Sequence, residues 1–110
     1  MVAAYPRRGE VWIGEFDPTV GSEIRKTRPC LVISPDSMNQ GLRTVVVMPL
    51  TSGSRPAPFR LALTFAGRDA LLLGDQVRTF DRRRLRKRIG VVDQATLTAV
   101  LGVLRDMFAE

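Results

Sequence analysis

The sequence contains no histidine. That absence removes the commonest general base, the Ser/His and Cys/His nucleophile pairs, and the commonest zinc ligand. Catalysis by this chain must therefore rest on Arg, Lys, Asp, Glu, Ser, Thr or Tyr. Cysteine is almost as scarce: Cys30 stands alone, which excludes an internal disulfide and a cysteine-rich zinc site. Apolar runs stop after a handful of residues, far short of the roughly 20 that a membrane helix needs. Residues 1–10 hold no signal-peptide core, so the expected compartment is the cytoplasm, without a membrane partner. Lysine is limited to Lys26 and Lys87, so Arg supplies the other basic residues among 17.

What is present fits one globular domain over residues 1–110. Apolar residues make up 45% and charged ones 25%, and 110 residues leave room for a single core. The net charge of +6 favours a polyanionic partner, and arginine's planar fork of donors matches phosphate oxygens.

Short apolar runs broken by Gly, Pro, Asp and Ser predict strands and turns over the first three quarters. Residues 10–16 alternate polar and apolar, the period of a half-buried strand, and Asp17-Pro18 closes it. Residues 19–27 read as a polar loop, long enough to suggest function. Strands follow at residues 30–33 and 44–50, the second almost wholly β-branched, with a helical turn or irregular connection at 35–41 between them. A Ser/Gly/Pro loop covers 51–58. Residues 59–64 and 70–73 read as strands around a turn at 66–69, and 84–92 as a further strand with Gly90 at a bend or bulge. The period then changes. Asp93 is a good N-cap, and Leu97, Val100, Leu101, Leu104, Met107 and Phe108 recur at helical spacing, predicting an amphipathic helix over residues 94–108 packed on the sheet. The expected fold is mainly β with α: a small, strongly bent antiparallel barrel with the helix over one opening.

Arg28 precedes the strand 30–33 and Thr51 follows the strand 44–50. If those strands are antiparallel neighbours, Arg28 and Thr51 meet at one rim. A guanidinium and a hydroxyl there suit a phosphate; the bland alternative is a surface Arg beside a turn Thr. Ser52 and the amides near Gly53 add donors. Arg78, Arg82, Arg83, Arg84, Arg86, Lys87 and Arg88 crowd seven positive charges into residues 78–88. They form either a solvated face or a phosphate contact, with Arg84, Arg86 and Arg88 expected on one strand face. Asp75-Gln76 either hydrogen-bonds base edges, orients Arg28, or caps a turn. Phe16, at the lip of the long loop, is the aromatic candidate for base stacking. No metal motif is visible.

The blocks Arg8-Gly9-Glu10-Val11-Trp12, Phe16-Asp17-Pro18-Thr19-Val20-Gly21-Ser22-Glu23 and Lys26-Thr27-Arg28-Pro29-Cys30-Leu31-Val32-Ile33-Ser34-Pro35 resemble the start of the MazF/PemK family of toxin endoribonucleases. Val47-Met48-Pro49-Leu50-Thr51-Ser52, Asp75-Gln76-Val77-Arg78-Thr79-Phe80-Asp81 and Arg84-Leu85 continue the pattern in order, so the resemblance covers residues 7–108. It implies a PemK/CcdB-like, SH3-like barrel acting as a homodimer, with no cofactor. It implies cleavage of single-stranded RNA at a short preferred sequence, independent of metal, and a cognate acidic antitoxin of the MazE type. The resemblance puts the catalytic pair on Arg28 and Thr51. The expected RNA-binding set is Phe16, Glu23, Lys26, Ser52, Asp75, Gln76, Arg78, Arg84 and Arg86. Leu73 stands where the Kid-like branch carries an Arg, and the first loop has no His, so that branch's acid–base scheme does not transfer. The competing readings are a CcdB-like gyrase inhibitor, whose Trp-Gly-Ile end this chain lacks, and a catalytically silent family member.

Overall fold

The computed structural model describes residues 4–110. Seven strands run in chain order β1 (Glu10–Glu15), β2 (Thr27–Val32), β3 (Thr44–Thr51), β4 (Arg60–Phe65), β5 (Arg68–Leu73), β6 (Arg78–Asp81) and β7 (Leu85–Val91). Helix α1 (Asp36–Gly41) joins β2 to β3, and α2 (Gln94–Phe108) ends the chain. All pairings are antiparallel, in the order β4-β5-β3-β2-β1-β7, with β6 also on β3. The segment 78–81, to which sequence reasoning assigned no element, is β6; its short polar-apolar run was hidden inside the arginine cluster.

β3 is the hinge of the sheet. Residues 44–47 pair with β6, whereas Leu50 and Thr51 pair with β5, and the three-residue helical turn Gly74–Gln76 makes the jog between them. The two edge strands curl toward each other: the Phe65 ring of β4 lies against Gly90 of β7, where a Cβ would stand 2.8 Å from Cζ. A Cβ at this position would push the Phe65 ring aside, so glycine lets the two edges meet by side-chain packing at this seam. The bulge expected at Gly90 is present, because Val11 pairs with Gly90 but Trp12 with Arg88.

Strand alternation sorts the apolar residues into two layers. Val11, Leu31, Ile33, Met48, Leu50 and Leu72 fill the barrel interior, which α2 covers with Val100 and Leu104. Phe16, Cys30, Val32, Val45, Val47 and Phe80 form a second cluster on the opposite face of the sheet. Asp93 caps α2 as expected, its carboxylate accepting the Thr96 N–H at 2.8 Å. The apolar face of α2 packs only in part: Val100 is buried, but Phe108 is 74% exposed. Among the described residues no helix is long and apolar enough to cross a membrane.

Candidate active site

In β2 and β3, Cys30 pairs with Pro49, Leu31 with Met48 and Val32 with Val47. The recorded pairing stops at Cys30–Pro49; carried two residues further, the same register would set Arg28 opposite Thr51. Side-chain alternation puts both on the face of the second apolar cluster, since Cys30 and Val32 of β2 and Val45 and Val47 of β3 belong to it. Arg28 also pairs with Gly14, so no neighbouring side chain crowds it from β1. Its Nε donates to the Arg25 carbonyl at 2.8 Å. Its two terminal nitrogens make no hydrogen bond among the described residues. Thr51 is 8% exposed, and its hydroxyl accepts weakly from the Gly53 N–H at 3.4 Å.

Six of the expected site residues line two separate clefts, and Arg28 lines neither of them. Glu23, Asp75, Gln76 and Arg78 line one of about 570 Å³ with Val20, Ser22, Ile24 and Val77. Thr51 and Ser52 line another of about 470 Å³ with Ser54, Thr64 and Asp69. Lys26 and Arg86 are exposed, Lys26 with a left-handed φ of 68° at the loop's last turn.

Phe16 requires correction as a base-stacking residue. It is 0% exposed and packs edge-on against Phe80, ring centroids 4.6 Å apart. Burial of a large ring outweighs its place at the lip of the loop, and no nucleobase reaches it. Asp75 does not orient Arg28; both of its oxygens bind Arg60, Oδ1 from Nε at 3.0 Å and Oδ2 from Nη2 at 2.8 Å. Arg60 was missed because nothing local in its strand marks it. Gln76 is turned to the first loop: its Oε1 accepts the Ile24 N–H at 2.6 Å, and its Nε2 donates to the Ser22 carbonyl at 3.4 Å.

The arginine cluster is mostly engaged within the protein. Arg78 donates to the Phe16 carbonyl at 3.1 Å, and Arg84 to the Glu15 and Asp17 carbonyls at 2.9 and 2.8 Å. Arg82 reaches the Asn39 carbonyl. Arg83 pairs with Asp81 at 3.0 Å and Arg88 with Glu10 at 3.1 Å. Arg84, Arg86 and Arg88 do not share one strand face: Arg84 precedes β7, and Arg86 is bulged out between the Gly14–Leu85 and Ile13–Lys87 pairs. Arg78 and Arg84 thus brace the start of the loop that ends at Arg28, whatever else they touch.

Burial pushes the Cys30 thiol up to about 12, so it stays a neutral, unreactive core group. Hydrogen bonding to Arg60 holds the Asp75 carboxyl below the usual aspartate range. A carboxyl lowered on folding stabilises fully above its unfolded value, about 3.9, and loses that contribution as pH falls through the folded value. The melting-temperature gap between the parent chain and Asp75→Asn is therefore expected to be complete at neutral pH and to close below about pH 4. Thermal melts across that range check it.

The sequence matches the family described as PemK-like, MazF-like toxin of type II toxin–antitoxin system over residues 7–108. The chain belongs to this toxin family. It is 39% identical over 103 residues to Endoribonuclease PemK of Escherichia coli, covering 88% of this chain and 77% of that protein. It is 38% identical over 81 residues to Endoribonuclease toxin MazF of Escherichia coli K12, covering 72% of each. Its fold superposes on the crystal structure of MazF from Deinococcus radiodurans with a TM-score of 0.85 and 27% identity, over 98% of this chain and 100% of that one. The PemK/MazF barrel with its C-terminal helix, expected from the sequence, is thus the fold observed.

Proposed function

We propose that this PemK/MazF-family chain cuts single-stranded RNA by making the ribose 2′-oxygen attack the adjacent phosphorus. Family membership, with relatives named as endoribonucleases at 38–39% identity, makes it an endoribonuclease toxin of a toxin–antitoxin system. The 2′-O–H passes its proton to a solvent water as the O–P bond forms. The P–O5′ bond then breaks, and the departing 5′-oxygen takes up a proton from water. The products are a 2′,3′-cyclic phosphate and a 5′-hydroxyl. The nucleophile belongs to the substrate, which explains how a chain without histidine can perform the reaction.

Arg28 supplies charge to the pentacovalent phosphate through its free terminal nitrogens, and Thr51 donates to a phosphate oxygen. A guanidinium with a pKa above about 12 is a poor base, so its role is electrostatic. What supports this reading is the β2/β3 register, Cys30 on Pro49, whose extension by two residues would bring Arg28 to Thr51 on one face. RNA contacts are assigned to Glu23 in one cleft, Ser52 in the other, and the exposed Lys26 and Arg86. A homodimer and an acidic antitoxin complete the reading; an antitoxin partner is supported by the crystal structure of MazE-MazF from Deinococcus radiodurans, 26% identical to this chain.

An RNA carrying a single 2′-deoxynucleotide 5′ to the scissile phosphate is expected to resist cleavage at that bond only. Mapping fragment ends of the matched all-ribose strand, digested in chelator, should show 5′-hydroxyl termini. Cleavage at the deoxy position would eliminate the 2′-attack.

A further inference from the structure

Arg60 joins two segments that share no strand. Its Nε and Nη2 grip both oxygens of Asp75, and its Nη1 points to the Arg55 carbonyl at 3.5 Å in the loop after Thr51. Its own N–H bonds the Ala57 carbonyl, and the Phe59 carbonyl accepts the Gly74 N–H at 3.0 Å. One guanidinium thus ties the 52–59 loop to the Gly74–Gln76 turn. The next residue, Gln76, holds the Ile24 N–H and the Ser22 carbonyl of the first loop. Ile24 lies four residues before Arg28, and Arg28 in turn is tethered to the Arg25 carbonyl.

We propose that Arg60 is a positioning residue for RNA cleavage, setting the Arg28 loop against the Thr51 loop through Asp75 and Gln76. This rests on the reading of Arg28 and Thr51 as the catalytic pair. Arg60 does not reach the loop of Arg28; its effect passes through the turn. The Arg60 side chain is 22% exposed and that of Asp75 31%, so it is the bidentate grip, not burial, that holds the pair in one geometry. Only arginine fits the position: a planar fork grips two carboxylate oxygens while a third nitrogen serves a carbonyl, whereas lysine offers a point charge. Misplacing a catalytic group by about 1 Å costs roughly 100-fold in rate, so a slackened turn acts on turnover.

Two measurements test this on the full chain. In Arg60→Lys and Arg60→Ala, kcat on a single-stranded RNA is expected to fall about 10- to 100-fold with KM nearly unchanged. Amide exchange at Ile24, which Arg60 never touches, should accelerate in both. Because both partners act through one chain, the Arg60→Ala/Asp75→Ala double variant should be no slower than either single one. A raised KM with parent kcat would make Arg60 an RNA contact and overturn the proposal. Unchanged Ile24 exchange in a folded variant would overturn it as well, as would additive losses. If Arg60→Ala does not fold, Arg60→Lys carries the test alone. If the parent chain cuts no RNA, the catalytic reading fails, and Ile24 exchange still reports whether Arg60 holds the loop.

Discussion

Arg28→Ala is expected to lower single-turnover cleavage of RNA by at least about 100-fold while leaving the melting temperature unchanged. The rate loss follows from charge. A group stabilising a developing phosphate charge in a partly enclosed site contributes about 2.7–4 kcal/mol to the transition state, or about 10² to 10³ in rate. The unchanged fold follows from the surroundings of Arg28. Its side chain makes one hydrogen bond, to the Arg25 carbonyl, and joins neither apolar cluster. Arg28→Lys keeps the charge but loses the fork, so it should recover only part of the rate. Thr51→Val, which keeps the side chain's shape, removes one hydrogen bond to a charged phosphate oxygen, worth about 1.5–3 kcal/mol, and should cost roughly 10- to 150-fold. Parent-like cleavage by Arg28→Ala would remove that residue from the mechanism.

The antiparallel pairing of β2 with β3 was legible in the sequence because it needs only local signals: a run of apolar residues ending at Thr51 and another starting after Arg28-Pro29. The proposed rim is that pairing extended by two residues. The capped helix Gln94–Phe108 was legible for the same reason, its period and its Asp93 cap lying in one window. What the sequence hid are contacts between distant segments. Phe16 carries no mark telling a core ring from a stacking one; its fate is fixed by Phe80, 64 positions on, through a pairing of β6 that lay inside an arginine run. The Arg60–Asp75 and Gln76–Ile24 links likewise join residues 15 and 52 positions apart. The sequence leaves the arginine run as either a solvated face or a phosphate contact. Carbonyls of the first loop take up Arg78 and Arg84, and that use depends on the path of a loop that no local pattern encodes.

Phe80→Ala is expected to have the largest effect on stability, a loss of about 3–5 kcal/mol in urea denaturation. Against a total of about 5–15 kcal/mol for a domain of this kind, that places the variant near unfolding at physiological temperature. Phe80 is 0% exposed at the centre of the cluster that seats the first loop. It meets the edge of Phe16, and the Arg78 and Arg84 guanidinium carbons lie 5.1 and 5.7 Å from its ring centroid. Gly14 lies directly against it: a Cβ on Gly14 would sit 2.8 Å from Phe80 Cε2 and 2.9 Å from Cys30 Sγ. The ring therefore fills a space that β1 leaves open by having no side chain there. Removing it frees Phe16, and it also unseats Arg84, whose bonds to the Glu15 and Asp17 carbonyls define where the loop departs. Phe80→Leu keeps most of the volume and should cost much less. The two alanine variants then separate chemistry from support. Arg28→Ala loses rate at full stability, whereas Phe80→Ala loses stability first and rate through the loop. A Phe80→Ala chain that unfolds at the parent's urea midpoint would mean that the loop is held by its carbonyl contacts alone.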